Sequence, residues 1–475
     1  MRRSGLTLLF RASNLHCNKI ARCSIHEIHG APIPEKEIKE FHEAVREGNE
    51  AKAEALLSSY GLANARNSKG WTPLMVAAKM GHINLIEILL KNMGSTTVLS
   101  PSGHTASEFA AFWQQKQAYE LLQSADNSKG ERKTQDHYFS NYPLDIKANL
   151  RDDHERLYKL ARLRNSKFIV FAKNTPVVIP SNLKKTKYVL FTRSLAQVQS
   201  VINSDVLDQS IFLGRHKGET VVGLDTLEDI DPEYQKGGAW FAIQVSPTQA
   251  ALLTTGYEGA APLENGPTRG MPNLEPADAA LFGKATSLLS WKRTSKYCTL
   301  CGETTTISQN GHKLQCNNTS CRSHKAVMNV SHPRVDPSII TLVVSEDNTH
   351  CILARQPRFP PKMYSCLAGF VESCESLEAA CHREVEEEVG LQLSKVSYHS
   401  SQPWPTPSTL MLGFIAYAKQ LPLTIDNELE DAQWFSREEA VGLMTRSHPK
   451  GYFTPPSQAI AHHLLKHWLI KSAFS

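Results

Sequence analysis

A period of 33 residues runs through the first quarter of the chain. Gly70-Trp71-Thr72-Pro73-Leu74-Met75-Val76-Ala77 returns as Gly103-His104-Thr105-Ala106-Ser107-Glu108-Phe109-Ala110. Stepping back 33 from Leu74, Ala77, Gly81, Leu89 and Leu90 lands on Phe41, Ala44, Gly48, Leu56 and Leu57. Three units at one spacing are not chance and make residues 36–126 an array of repeats. Partner binding, self-association or a folding cap are the roles open to such an array.

The period and the Thr72-Pro73-Leu74 turn resemble ankyrin repeats, which implies paired helices that stack because none buries its apolar face alone. Ahead of them, residues 1–26 carry Arg2, Arg3, Arg11, Lys19 and Arg22, with no acid before Glu27. This resembles a mitochondrial transit peptide; a plain extension over residues 1–35 is the alternative. At 475 residues the chain exceeds one core, and its length suggests about three domains. A net charge of +5 permits nucleotide or RNA contact without marking a nucleic-acid specialist. No apolar run approaches the ~18 residues that cross a bilayer, so no membrane partner is expected.

Residues 127–137 are polar and read as a linker. Over 138–292, the runs Phe168–Phe171, Tyr188–Phe191, Ile211–Leu213, Thr220–Leu224 and Ala239–Val245 predict strands, and a helix is expected over Ala277–Trp291. This mixed α+β domain carries no catalytic constellation. The segment 260–276, rich in Pro and Gly, reads as a loop. Four of the ten cysteines then fall in two pairs, Cys298/Cys301 and Cys316/Cys321. Thiolates so spaced suit one tetrahedral Zn2+ in a closed, structural zinc ribbon over 293–331. His312 and His324 nearby read as surface residues.

Residues 332–475 form the last domain. Ser338–Val344 and Cys351–Ala354 predict a hairpin, Leu410–Ala418 and Asp431–Phe435 further strands, and Pro456–Ile470 a closing helix. Between them lies Gly369-Phe-Val-Glu-Ser-Cys-Glu375-Ser-Leu-Glu-Ala-Ala-Cys-His-Arg383-Glu384-Val385-Glu386-Glu387-Glu388-Val389-Gly390-Leu391. Gly369 reads as a tight turn, and the stretch Ser376–Val389, free of Gly and Pro, as a helix stopped by Gly390. Glu384, Glu387 and Glu388 then share one face, opposite Leu377, Ala380, Cys381, Val385 and Val389. Two like charges ~4 Å apart repel by about 4 kcal/mol at an effective dielectric of about 20, a cost that hard divalent cations relieve. A solvated acidic face would account for a bare glutamate triplet, but not for the complete spacing G-x5-E-x7-R-E-U-x-E-E-x-G-U, U being apolar.

That pattern resembles the signature of Nudix hydrolases, which implies an α/β/α sandwich that cleaves a pyrophosphate joined to a nucleoside. A second motif, Ser401-Gln402-Pro403-Trp404-Pro405-Thr406-Pro407-Ser408-Thr409, resembles the S-Q-P-W-P-F-P-x-S run of NADH pyrophosphatases, with Thr406 in place of the Phe and Thr409 in place of the last Ser. It reads as a stiff loop whose Trp404 and Gln402 would contact a base. Ankyrin repeats, a mixed domain, a zinc ribbon and a Nudix domain in this order resemble the ankyrin-bearing NADH pyrophosphatases that also act on NAD-capped RNA.

The resemblance implies two to three Mg2+ or Mn2+ ions on Glu384, Glu387, Glu388, Glu428 and the carbonyl of Ala368. It implies substrate contacts from the 402–409 motif, Ala461 and the position of His332, where the family usually has Tyr. Gly369, Glu375, Arg383 and Gly390 would be structural, Arg383 orienting a box carboxylate and Glu375 tying loop to helix. NADH, NAD and NAD-capped RNA are the implied substrates, a homodimer the implied assembly, and peroxisome or cytoplasm the implied location. An ankyrin scaffold with a nucleotide-binding Nudix domain, or a hydrolase of another dinucleotide, are the competing readings.

Overall fold

The computed structural model describes residues 34–126, 137–182, 186–202, 205–216, 237–263, 273–325, 333–405 and 408–474. The basic N-terminus, the linker 127–136, the run Thr220–Leu224, His332, Thr406 and Pro407 lie outside them. Two compact units divide the chain near residue 127.

The first unit is three helical pairs: α1 (Glu35–Glu47) with α2 (Glu50–Tyr60), α3 (Pro73–Met80) with α4 (Ile83–Lys91), and α5 (Ala106–Phe112) with α6 (Lys116–Ala125). Local chemistry repeats with the sequence. Thr72 and Thr105 cap α3 and α5 by accepting from the backbone N–H three residues on. The turn ahead of each cap also recurs: the backbone N–H of Asn67 and of Ser100 donates to the carbonyl four on, of Trp71 and His104, whose own N–H groups donate back to the Asn67 and Ser100 side chains. Phe41, Leu74, Leu85 and Phe109, all buried, lie in one continuous core.

The second unit holds two sheets of related wiring. In the first, β1 (Leu144–Asp145), β6 (Ile211–His216), β7 (Ala239–Val245), β2 (Lys167–Ala172), β3 (Thr175–Pro180) and β4 (Tyr188–Leu190) lie in that order, with β5 (Thr192–Arg193) on β2 and β8 (Ala261–Pro262) on β3. Among its described strands, β2 and β7 alone pair in parallel. β3 is not among the strands expected from the sequence. The long helix Pro276–Thr294 packs on this sheet through Ala279, Phe282 and Ala285. A small hairpin, β9 (Thr305–Ser308) with β10 (Lys313–Cys316), follows.

The second sheet runs β14 (Leu393–Trp404), β15 (Thr409–Ala418), β11 (Asp336–Ser345), β12 (His350–Arg355), β16 (Asp431–Ser436), with β13 (Leu367–Phe370) on β11. Its central strands β11 and β15 pair in parallel over ten residues, Asp336 with Thr409 through Ser345 with Ala418. Here too, then, one parallel pair is flanked by antiparallel neighbours. The helix Leu377–Val389 covers the sheet through Ala380, Cys381, Val385 and Val389, packed with Ile339, Val343 and Phe414. The closing helix Ile460–Lys471 approaches β15 closely: a Cβ on Gly413 would lie 2.8 Å from Ile460. Thus the box helix is held by a sheet whose centre is buried along its length.

In the first sheet, the described helices of the corresponding crossover, Leu195–Gln199 and Val206–Gln209, hold one carboxylate between them, Asp208, and none of the box's glutamate spacing. Any metal chemistry of the box type therefore belongs to the second sheet.

Candidate active site

Ser376 caps the box helix by accepting from Ala379 N–H at 3.2 Å, and Gly390 ends it in the left-handed region at φ 72°. Gly369, by contrast, lies in the strand β13 and outside that region, so the turn expected there is not its purpose. A Cβ at Gly369 would overlap the carboxylate of Glu384, which rests directly against the backbone. Glycine is required by close approach. Ser338 Oγ donates to the carbonyl of Gly369 at 2.9 Å and fixes the strand below it.

Arg383 gathers the acids. Its Nε and Nη2 donate to both oxygens of Glu375, at 2.8 and 2.9 Å, and its Nη1 donates to Glu384 and Glu387 at 2.9 Å each. Nη2 also bonds the carbonyl of Phe370 at 2.9 Å, joining helix to strand. This fork holds the carboxyl of Glu375 down to about 2, with a backbone bond from Glu372 assisting. Glu384 is raised instead, because burial outweighs the bond from Arg383.

Glu388 is the most telling group. It is 4 % exposed, and its Oε2 is buried with no hydrogen-bond partner. Burial first, then the charges of Glu384, Glu428 and Asp426, push its carboxyl up to about 8, against a backbone bond from Ala368. Glu428 reaches the cluster from the exposed loop before β16, and Asp426 bonds the Glu388 carbonyl through its backbone N–H at 3.2 Å. Glu384, Glu388, Glu428 and Ala368 therefore come together, with Glu387 beside them on Arg383. An orphaned carboxylate oxygen, crowded by acids and not bonded by the Arg383 guanidinium, is what a divalent cation would satisfy. The donor set fits Mg2+ or Mn2+.

The second motif departs from its sequence reading. Ser401–Trp404 is not loop but the end of the edge strand β14, paired with Thr409–Leu412. Pro403 fits there because an edge strand has unpaired N–H positions. Gln402 is fully buried, its Nε2 donating to the Gln458 carbonyl at 2.7 Å and its Oε1 accepting from Ile460 N–H at 2.8 Å. Its amide is spent on the start of the closing helix, where Ala461 is also buried, and is not free for a base. Half-buried Trp404 meets Phe139 edge-on at 5.8 Å, and Pro405 lies against Gly283, so the motif docks on the preceding domain. Ser408 bonds the carboxylate of Asp336 at 3.4 Å, and Thr409 is half-buried in β15.

All four sulfurs of Cys298, Cys301, Cys316 and Cys321 lie within 4.8 Å of one another, with 3.5 Å between Cys301 and Cys316 and 3.9 Å between Cys298 and Cys321. Tetrahedral Zn–S bonds of ~2.3 Å place sulfurs ~3.8 Å apart, so the quartet fits that ion. Backbone N–H groups of Leu300 and Cys301 draw the Cys298 thiol down to about 6, the state a ligand needs. His324 is exposed as expected, but His312 is not a surface residue: it is 6 % exposed and bonds the Phe212 carbonyl at 2.6 Å. Burial lowers it to about 4.

Three known domains match this chain: ankyrin repeats (three copies) over residues 41–133, an NADH pyrophosphatase-like rudimentary NUDIX domain over 165–291, and a NUDIX domain over 336–455. The NAD-capped RNA hydrolase NUDT12 of Macaca fascicularis is 36% identical over 451 residues, 92% of this chain and 97% of that protein. The chain belongs to the Nudix hydrolase family. The human NAD-capped RNA hydrolase NUDT12 is also 36% identical, over 91% of this chain and 96% of its own length. The mitochondrial NAD(P)H pyrophosphatase NUDT13 of Homo sapiens is 37% identical over 42% of this chain and 58% of its own.

Nudix hydrolases use divalent metal ions. In this one, two supporting residues escaped the sequence reading. Arg355, 8 % exposed at the end of β12, bonds Glu430 at 2.9 Å, and its carbonyl accepts from Glu430 N–H at 2.8 Å, tethering the loop that carries Glu428. Asp426 adds charge beside Glu388. Neither has a spacing signal; both act through a loop whose path only the fold defines. Among the described residues no helix is long and apolar enough to cross a membrane.

Proposed function

We propose that this Nudix hydrolase cleaves the pyrophosphate of NAD(H) into AMP and nicotinamide mononucleotide, and removes NAD caps from RNA to leave a 5′-monophosphate. The relatives' names supply the substrate class, and the orphaned, buried Glu388 oxygen amid acids carries the chemistry. Glu384, Glu387, Glu388, Glu428 and the Ala368 carbonyl would hold two or three Mg2+ or Mn2+ ions, which when bound neutralise pyrophosphate oxygens and activate water. Arg383, locked on Glu375, keeps Glu384 and Glu387 in register, and Gly369 lets Glu384 lie flat on β13. Trp404, Pro405 and the outer part of the motif would shape the substrate cleft, with Gln402 and Ala461 supporting it from behind. The cysteine quartet would hold a structural Zn2+. A homodimer and a protein partner for the ankyrin stack complete the proposal, in the peroxisome, cytoplasm or mitochondrion.

The test is purified protein with Mg2+ and NADH. Wild type should release AMP and reduced nicotinamide mononucleotide, and Glu388→Gln should lose about 100-fold or more in kcat, since a site-defining charge is removed. Equal turnover by the mutant would sink the assignment. Running NAD, diadenosine substrates and NAD-capped RNA alongside ranks the substrates.

A further inference from the structure

Away from the carboxylate site, two cationic side chains and a neutral, buried histidine gather beside β6. Arg151 and Lys284 are half-buried and His312 is buried. Lys284 lies over the ring of Tyr142, its Nζ 4.5 Å from the centroid, and donates to the Leu213 carbonyl at 3.3 Å. That carbonyl already accepts from the Tyr142 hydroxyl at 2.8 Å. His312 points at the neighbouring Phe212 carbonyl. Arg151 has a buried Nε without any hydrogen-bond partner.

The charge here does not balance. Burying cations is costly unless an anion pairs with them. The carboxylate that acts on Arg151 is that of Asp152, which is exposed and accepts from Gln309 at 3.0 Å. Neither cation makes a salt bridge among the described residues. Their mutual repulsion is visible: burial, then Arg151, lowers Lys284 to about 8, and both cations add to the burial that lowers His312. The neutral carbonyls of Leu213 and Phe212 supply acceptors but no charge. Two cations and an unused guanidinium N–H together are the donor set that phosphate takes, Arg offering a fork and Lys a point charge.

We infer that Arg151 and Lys284, beside the neutral His312, form a phosphate-binding site separate from the pyrophosphate-cleaving one. Its ligand is either a free phosphate or a backbone phosphate of an RNA substrate; only the RNA case rests on the function proposed above.

Full-length protein is titrated calorimetrically with inorganic phosphate at ionic strength fixed by chloride, without added divalent cations. Wild type should bind phosphate, Arg151→Gln and Lys284→Gln should weaken it at least tenfold, and Lys284→Arg should retain it within threefold. No phosphate signal above chloride, or unchanged binding in both glutamine variants, overturns the site. In parallel, KM for NAD-capped RNA is compared with KM for NADH. A rise of fivefold or more for the RNA alone in the glutamine variants assigns the site to RNA. Lost phosphate binding with unchanged RNA KM assigns it to free phosphate. A wild type that failed to hydrolyse NADH would refute the proposed function and leave the phosphate titration readable.

Discussion

Gly369→Ala is the sharpest perturbation the site offers, because it adds one methyl and removes nothing. Extended backbone at residue 369 accepts alanine, so conformational strain is not the issue. The new Cβ would overlap the Glu384 carboxylate, and restoring an ordinary carbon contact of ~3.5 Å requires a retreat of roughly 1.5 Å. Glu384 would then leave its 2.9 Å bond with Arg383 and the company of Glu388. Misplacing a catalytic group by ~1 Å costs about 100-fold in rate, or about 2.7 kcal/mol in the barrier. Overpacking would remove a further ~1–3 kcal/mol of stability. NADH hydrolysis measured by product chromatography, with circular dichroism to show a folded chain and electron paramagnetic resonance to follow Mn2+ binding, separates the effects. The expected result is a folded protein with at least a hundredfold lower kcat and weakened Mn2+ binding. Turnover within threefold of wild type would refute the close-approach account.

Gln402→Ala should lower thermal stability by about 1–3 kcal/mol, leaving the Gln458 carbonyl and the buried Ile460 N–H unpaired; a variant that kept its melting point but changed base preference would restore the direct-contact reading. Cys316→Ser should release zinc and lower the melting temperature, measured by elemental analysis against one Zn2+ per wild-type chain; zinc-free wild type purified under reducing conditions would refute the ribbon. The imidazoles of His399, His463 and His467 are all lowered, the first two to about 4, by burial first and then by one another, His137, Lys466 and Lys471. Unfolded histidines take up protons near 6.5 while these do not, so their contribution to stability is full above about pH 6.5 and is lost as pH falls toward 4. A urea midpoint at pH 5 equal to that at pH 7.5 would contradict this.

Regular, local signals were legible in the sequence. The 33-residue period returns as repeated caps at Thr72 and Thr105, and Ser376 and Gly390 bound the box helix as capping chemistry requires. What escaped depends on contacts distant in the chain. His312 gave no sign of burial because its partner, the Phe212 carbonyl, lies 100 residues earlier. Gln402 looked like a base reader because its clients, residues 458 and 460, carry no motif. Gly369 was rightly singled out for the wrong reason: a turn and a carboxylate pressed on a strand both demand glycine, and only coordinates distinguish them.

The parallel ladder of β11 with β15 has a consequence for how the enzyme comes into being. The box helix is part of the crossover between these strands, so its platform closes only when residues 409–418 meet 336–345. Closing so long a loop is slow relative to forming a helix. During synthesis, a box that has already coiled must wait for β15 to leave the ribosome, and longer for the loop that brings Glu428. The nascent chain therefore keeps Glu428 away from the box glutamates until the scaffold that holds them is nearly complete.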